Sequence, residues 1–187
     1  VPTGEDVPFS AGIWFSGARI SFAFGPPGYV VHDDQPDRAT TAQRPVWELL
    51  RWLDPALNAE APWMQRRADR VALVVKLLRQ NLPDTVRALL PGGWDAEAQS
   101  RVRVAVSRLH GAAPKAFDYL SRSDWRLVVA LGSRATSEEQ LAALLRDRQK
   151  LRSLRALLPH RLALTFARQS PLRFHIAGAV LARTKED

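Results

Sequence analysis

Thr136-Ser137-Glu138-Glu139-Gln140 is followed by Leu141, Leu144, Leu151, Leu154 and Leu158, and then by Pro159. The first five residues hold overlapping capping boxes, in which a Ser or Thr side chain and a Glu or Gln three positions on satisfy each other's free backbone N–H groups. The leucines then recur at helical spacing, and proline ends the run. The stretch therefore predicts a helix from 137 to 158 with its leucines facing inward. It sets the expectation for the chain, because the same grammar recurs on its N-terminal side.

Asp95 stands before a stripe of Val102, Ala105, Val106 and Leu109 that ends at Gly111. The alternation in Arg101-Val102-Arg103-Val104 also suits a strand, but the full i, i+3, i+4, i+7 set favours a helix capped by Asp95. Pro83–Leu90 reads as a short helix stopped by Pro91-Gly92-Gly93. Met64, Ala68, Val71, Val74, Val75 and Leu78 mark another, with Asn58 as its cap and Pro62 in its first turn. Pro45 opens one more, lined by Val46, Leu49, Leu50 and Leu53 and stopped at Asp54-Pro55. Pro114–Leu120 and Asp124–Leu131 are two short helices with Ser123 as a cap, and they give weak grounds for a helix-turn-helix. Residues 160–168 and 172–183 make a last helix or helix pair.

Residues 1–38 read differently. Ile13-Trp14-Phe15, then Ser16-Gly17, then Ile20, Phe22 and Phe24 alternating with Arg19, Ser21 and Ala23 suggest a β-hairpin. Gly25-Pro26-Pro27-Gly28 breaks it, and Tyr29-Val30-Val31 offers a third strand. The expected fold is mainly α: an irregular helical bundle over 39–187, with a small N-terminal hairpin or three-stranded meander over 1–38 packed on it.

The 187-residue chain has no cysteine, which excludes a disulfide scaffold, a thiol nucleophile and Cys-ligated metal. No apolar run approaches the ~20 residues of a membrane span, and no signal peptide is visible. A cytoplasmic setting is expected. Of 27 basic residues, 23 are arginine, a bias that a GC-rich genome also produces. Residues 1–97 carry 10 basic and 12 acidic groups, a net of −2, whereas residues 98–187 carry 17 and 7, a net of +10. Such asymmetry points to an anionic partner.

Two sets of basic residues carry that expectation. Arg101 and Arg108 lie along one edge of their helix's apolar stripe, with Arg103 on the other side. Arg148, Arg152 and Arg155 follow i, i+4, i+7 spacing as one exposed row, flanked by Arg146 and Lys150 and extended by Arg161. Guanidinium groups spaced about 6 Å apart suit a phosphate backbone. Trp94, after Gly92-Gly93, and Trp125 are candidates to stack on bases, although most such rings pack in cores. Trp14, Phe15, Phe22 and Phe24 form an apolar load that a partner protein would cover.

Enzymatic signatures are weak. His32, Asp33, Asp34 and Asp37 offer oxygen and imidazole ligands to a divalent metal, as a nuclease would need, but a polar loop explains them as simply. No HExxH, Walker loop, nucleophile elbow or dinucleotide fingerprint is present. No metal or other cofactor is expected. The expected function is a non-catalytic nucleic-acid-binding subunit of a larger bacterial nucleoprotein or processing complex. The alternative is a protein-interaction module whose basic face docks an acidic partner.

Overall fold

The computed structural model describes residues 6–18, 44–134, 136–150, 153–173 and 175–177. Among these the protein is mainly helical, as the sequence predicts, and contains no named strand. The helices are α1 (Asp6–Phe15), α2 (Val46–Leu49), α3 (Leu53–Ala56), α4 (Pro62–Gln65), α5 (Arg67–Arg79), α6 (Asn81–Leu89), α7 (Ala96–Ala112), α8 (Arg122–Gly132), α9 (Glu138–Gln149) and α10 (Leu154–Leu157). One apolar core runs through them, from Val7 of α1 to Leu145 of α9.

The centre of that core is α5. Leu73, Val74, Leu77 and Leu78 are all buried, and the helix packs against α4, α6, α7 and α8. The α7 stripe is as the sequence predicts: Val102, Ala105, Val106 and Leu109 are buried, and the Asp95 side chain accepts from the Ala98 N–H at 2.8 Å. Buried polar groups beside it are matched by one another. Trp52 Nε1 donates to Thr85 Oγ1, which donates in turn to the Leu49 carbonyl, both at 3.2 Å.

Several sequence expectations are corrected. Ile13-Trp14-Phe15 ends a helix and forms no strand, because Val7 and Ala11 of α1 bury against α3 and α4. The remaining strand positions, Phe22 and Phe24, the metal-ligand candidates His32, Asp33, Asp34 and Asp37, and the expected domain boundary at 38/39 lie outside the described residues. Helices α2 and α3 replace a single helix, and Asp54-Pro55 lies within the second of them. The 62–79 segment breaks at Arg66, whose backbone is extended. Ser121, not Ser123, caps α8. Pro114–Tyr119 winds as a 3-10 helix, which removes the leading α-helix of a helix-turn-helix.

The largest correction concerns the leucine-rich helix. Its start is as expected, with Ser137 and Gln140 forming the reciprocal capping box. Its end is not. It stops at Gln149, and α10 restarts only after Ser153, whose side chain caps the new helix. The break reorients the downstream leucines: Leu141 and Leu145 are buried, but Leu154 is 72% exposed.

Candidate nucleic-acid interface

The C-terminal helices meet at two adjoining features, an exposed cationic patch and a cleft. The patch is organised by Asp147 near the end of α9. Lys150 Nζ donates to Asp147 Oδ1 at 2.9 Å, while Arg155 Nη1 and Arg126 Nη1 lie 3.6 and 3.7 Å from Oδ2. Three helical segments thus converge three cations on one carboxylate. The Lys150 hydrogen bond and charge, with Arg155 and Arg126 behind them, hold the Asp147 carboxyl below its usual range. The cluster keeps a surplus of positive charge, and all three cationic side chains remain about half exposed or more.

A backbone clasp fixes α10 beside α8. Ser121 and Pro159 form an antiparallel bridge, in which the Arg122 N–H donates to the Leu158 carbonyl at 3.2 Å and the His160 N–H to the Leu120 carbonyl at 2.7 Å. Ser123 Oγ adds a bond to the Arg155 carbonyl.

The cleft has a volume of about 410 Å³ and lies among α1, α5, the N-terminus of α8, α9 and α10. Its floor is Asp124, nearly buried, which accepts from Arg148 Nε at 2.5 Å and from Ser121 Oγ at 2.8 Å, with Arg79 Nε at 3.7 Å. Arg148 Nη2 also donates to the carbonyl of Arg79 at the end of α5. Above this floor Lys76 Nζ sits 4.3 Å from the centroid of the Trp14 ring. Burial lowers the affinity of Lys76 for its proton, opposed by Asp6. Burial also lowers Arg79, with Asp124 opposing and Arg148 reinforcing the shift. His175 is lowered by burial first and then by Arg79, against the pull of Asp124.

The expected row of Arg148, Arg152 and Arg155 is not formed as one face. The side chain of Arg148 is only 14% exposed and serves the Asp124 network, whereas Arg155 belongs to the patch. Arg152 lies outside the described residues. Arg146 is exposed and carries no ion pair among the described residues. Arg161 pairs with Asp118 at 2.9 Å. Arg101 pairs with Glu97 and Arg108 with Asp54, each at 2.7 Å, while Arg103 is half-buried. Arg101 and Arg108 share a shallow groove with Trp47 and Val104.

The aromatic expectations fare differently. Trp94 is buried, and its Nε1 donates to the Thr136 carbonyl at 3.1 Å, so it is a core residue and not a platform for bases. One face of Trp125 is already covered by His160, with parallel rings 4.2 Å apart. Trp14 is half-exposed at the cleft, and Phe15 packs against the core. Lys76, Arg79, Ser121, Asp124 and His175 were not singled out by sequence. The pattern offers no signal for Lys76, Arg79 and His175, whose partners lie on other helices, whereas Ser121 and Asp124 pair three positions apart and their Ser-x-x-Asp spacing is a local capping signal.

Among the described residues no helix is long and apolar enough to cross a membrane, and no group of three metal-ligating side chains occurs. Comparison of the chain with family models, curated proteins and solved structures returned no match.

Proposed function

We propose that the chain is a non-catalytic nucleic-acid-binding subunit of a larger nucleoprotein or nucleic-acid-processing assembly, and that it grips the phosphate backbone through the cations around Asp147. The observation that carries this reading is the convergence of Arg126, Lys150 and Arg155 on a single carboxylate, which leaves the cluster positive. Phosphate oxygens offer the same bidentate acceptor geometry as Asp147 and can exchange with it. Backbone contact of this kind carries little sequence information.

The test is fluorescence anisotropy with labelled single- and double-stranded DNA and RNA at two salt concentrations. Affinity should fall steeply with salt, as counterion release requires. The triple variant Arg126→Glu, Lys150→Glu, Arg155→Glu should abolish binding while circular dichroism shows unchanged helicity. Unchanged affinity in that variant sinks the proposal.

A protein-interaction module is the second reading. Trp47 and Val104, each more than half exposed, lie in a groove flanked by Arg51, Arg101 and Arg108. An acidic partner with an apolar anchor would match that surface. Absence of nucleic-acid binding at low salt, with capture of an acidic partner lost in a Trp47→Ala variant, would favour it.

A further inference from the structure

We propose that the outer face of α1 and the C-terminal stretch carrying Phe166 and Ile176 form a surface that docks on an anionic lipid bilayer without crossing it. The inference goes beyond the nucleic-acid reading and does not rest on it, because the patch around Asp147 uses other side chains.

Apolar exposure is the first argument. Seven of the ten large apolar side chains that stand exposed among the described residues come from two stretches of chain. Phe9, Ile13 and Trp14 belong to α1, and Leu154, Leu162, Phe166 and Ile176 to the C-terminal stretch. The two stretches meet at the cleft, which Trp14 lines together with Ala156, Gln169 and His175. On α1, Phe9 and Ile13 lie four positions apart, on the side turned away from the buried Val7 and Ala11. After Asp6 the helix carries no charged residue, and a helix apolar on both faces calls for cover on both. Phe9 is 71% and Phe166 82% exposed, so neither serves the core.

Charge is the second. Between Asp147 and Glu186 the sequence holds seven arginines, two lysines and no acid. Arg161 is held by Asp118. Arg168 and Arg173 are exposed and pair with no acid among the described residues. They stand in the same stretch as the exposed Leu162, Phe166 and Ile176.

The combination selects the occupant. A nucleic-acid strand would use the cations and leave Phe9, Ile13 and Ile176 in water. A second copy of the chain would cover the apolar residues but set arginine against arginine. Trp14 apart, the exposed apolar residues line neither the cleft nor the Trp47 groove, so they stand as separate projections and not as the wall of a pocket for a partner's anchor. An anionic bilayer surface uses both properties: its headgroups draw in the cations, and apolar side chains inserted one by one reach the acyl boundary.

The experiment is co-sedimentation of the full chain with phosphatidylcholine vesicles, with and without phosphatidylglycerol, at low and high salt. Binding should need phosphatidylglycerol and weaken with salt. Arg168→Gln and Arg173→Gln should each cost about fivefold in partitioning. Phe9→Ser combined with Phe166→Ser, at two sites that pack little against the core, should cut partitioning by about tenfold or more. Helicity and oligonucleotide affinity of that double variant should not change. Equal partitioning onto the two vesicle types, or none onto either, overturns the proposal. Partitioning that survives the double variant overturns it too, because charge alone then accounts for it. Loss of oligonucleotide affinity in the double variant gives the surface to the nucleic acid, and a concentration-dependent dimer that the variant abolishes gives it to a second copy; either result overturns the bilayer assignment.

Discussion

Arg148 Nε donates to Asp124 Oδ1 at 2.5 Å, joining two helices through a pair that is almost closed to solvent. The same guanidinium reaches the Arg79 carbonyl through Nη2 and so ties the end of α5 to the start of α8. Removing one partner of such a pair leaves the other charged and poorly solvated. Arg148→Leu should therefore destabilise the fold by about 3 kcal/mol, the lower end of the usual range because Arg79 still faces Asp124. Urea unfolding checks this, and a double-mutant cycle with Asp124→Asn should show strong coupling between the two positions.

Asp147 opposes the function proposed for its neighbours. Asp147→Asn removes the negative charge that holds Lys150, Arg155 and Arg126 together. Nucleic-acid affinity at low salt should rise several-fold, and the logarithmic salt slope should steepen by about one unit. A purely structural ion cluster would instead lose stability with no change in binding, and the anisotropy titration separates the two.

Trp94 tests whether a buried indole serves packing alone. Trp94→Phe keeps most of the ring but deletes the donor to the Thr136 carbonyl. The orphaned acceptor should cost about 1–3 kcal/mol in urea unfolding. Oligonucleotide affinity of the folded variant should not change.

His175 gives the cleft a pH dependence. Burial and Arg79 hold its proton affinity below the ordinary value of 6.5, with Asp124 opposing. The unfolded chain therefore binds that proton more readily than the folded one. Stability falls as pH drops through 6.5 and levels off below the lowered folded value. His175→Gln should flatten the difference in urea midpoint measured between about pH 7.5 and about pH 5.5.

Features set by a few neighbouring residues were legible in the sequence. Asp95 caps α7, Ser137 and Gln140 close their box, and the α7 stripe buries as its spacing requires. Features that depend on distant partners were not. Arg148 reads as the head of an exposed row, yet its carboxylate lies 24 positions away and its carbonyl 69. The leucine period through 158 hid the break at Lys150, beyond which the chain turns out of phase and exposes Leu154. Ile13-Trp14-Phe15 has strand-forming residue types, but burial of Val7 and Ala11 one helical turn apart decides for a helix. Trp94 looked exposed because glycines precede it, whereas its indole turns inward to Thr136. Of the proposed interface, Lys150 and Arg155 were readable as basic helix positions. Their convergence with Arg126 depends on the break that the sequence concealed.

The short bridge between Ser121 and Pro159 has an energetic meaning beyond its two hydrogen bonds. It closes residues 121–159 into a ring of chain whose ends are fastened at the base of α8. Arg126, Lys150 and Arg155, which lie on that ring, are assembled when the protein folds, not when a ligand arrives. Much of the backbone ordering that a flexible basic tail would undergo on binding has then already taken place. In the proposed binding role, such an anchor would trade reach for preorganisation: unable to wrap around its target, it would hold and release it without refolding.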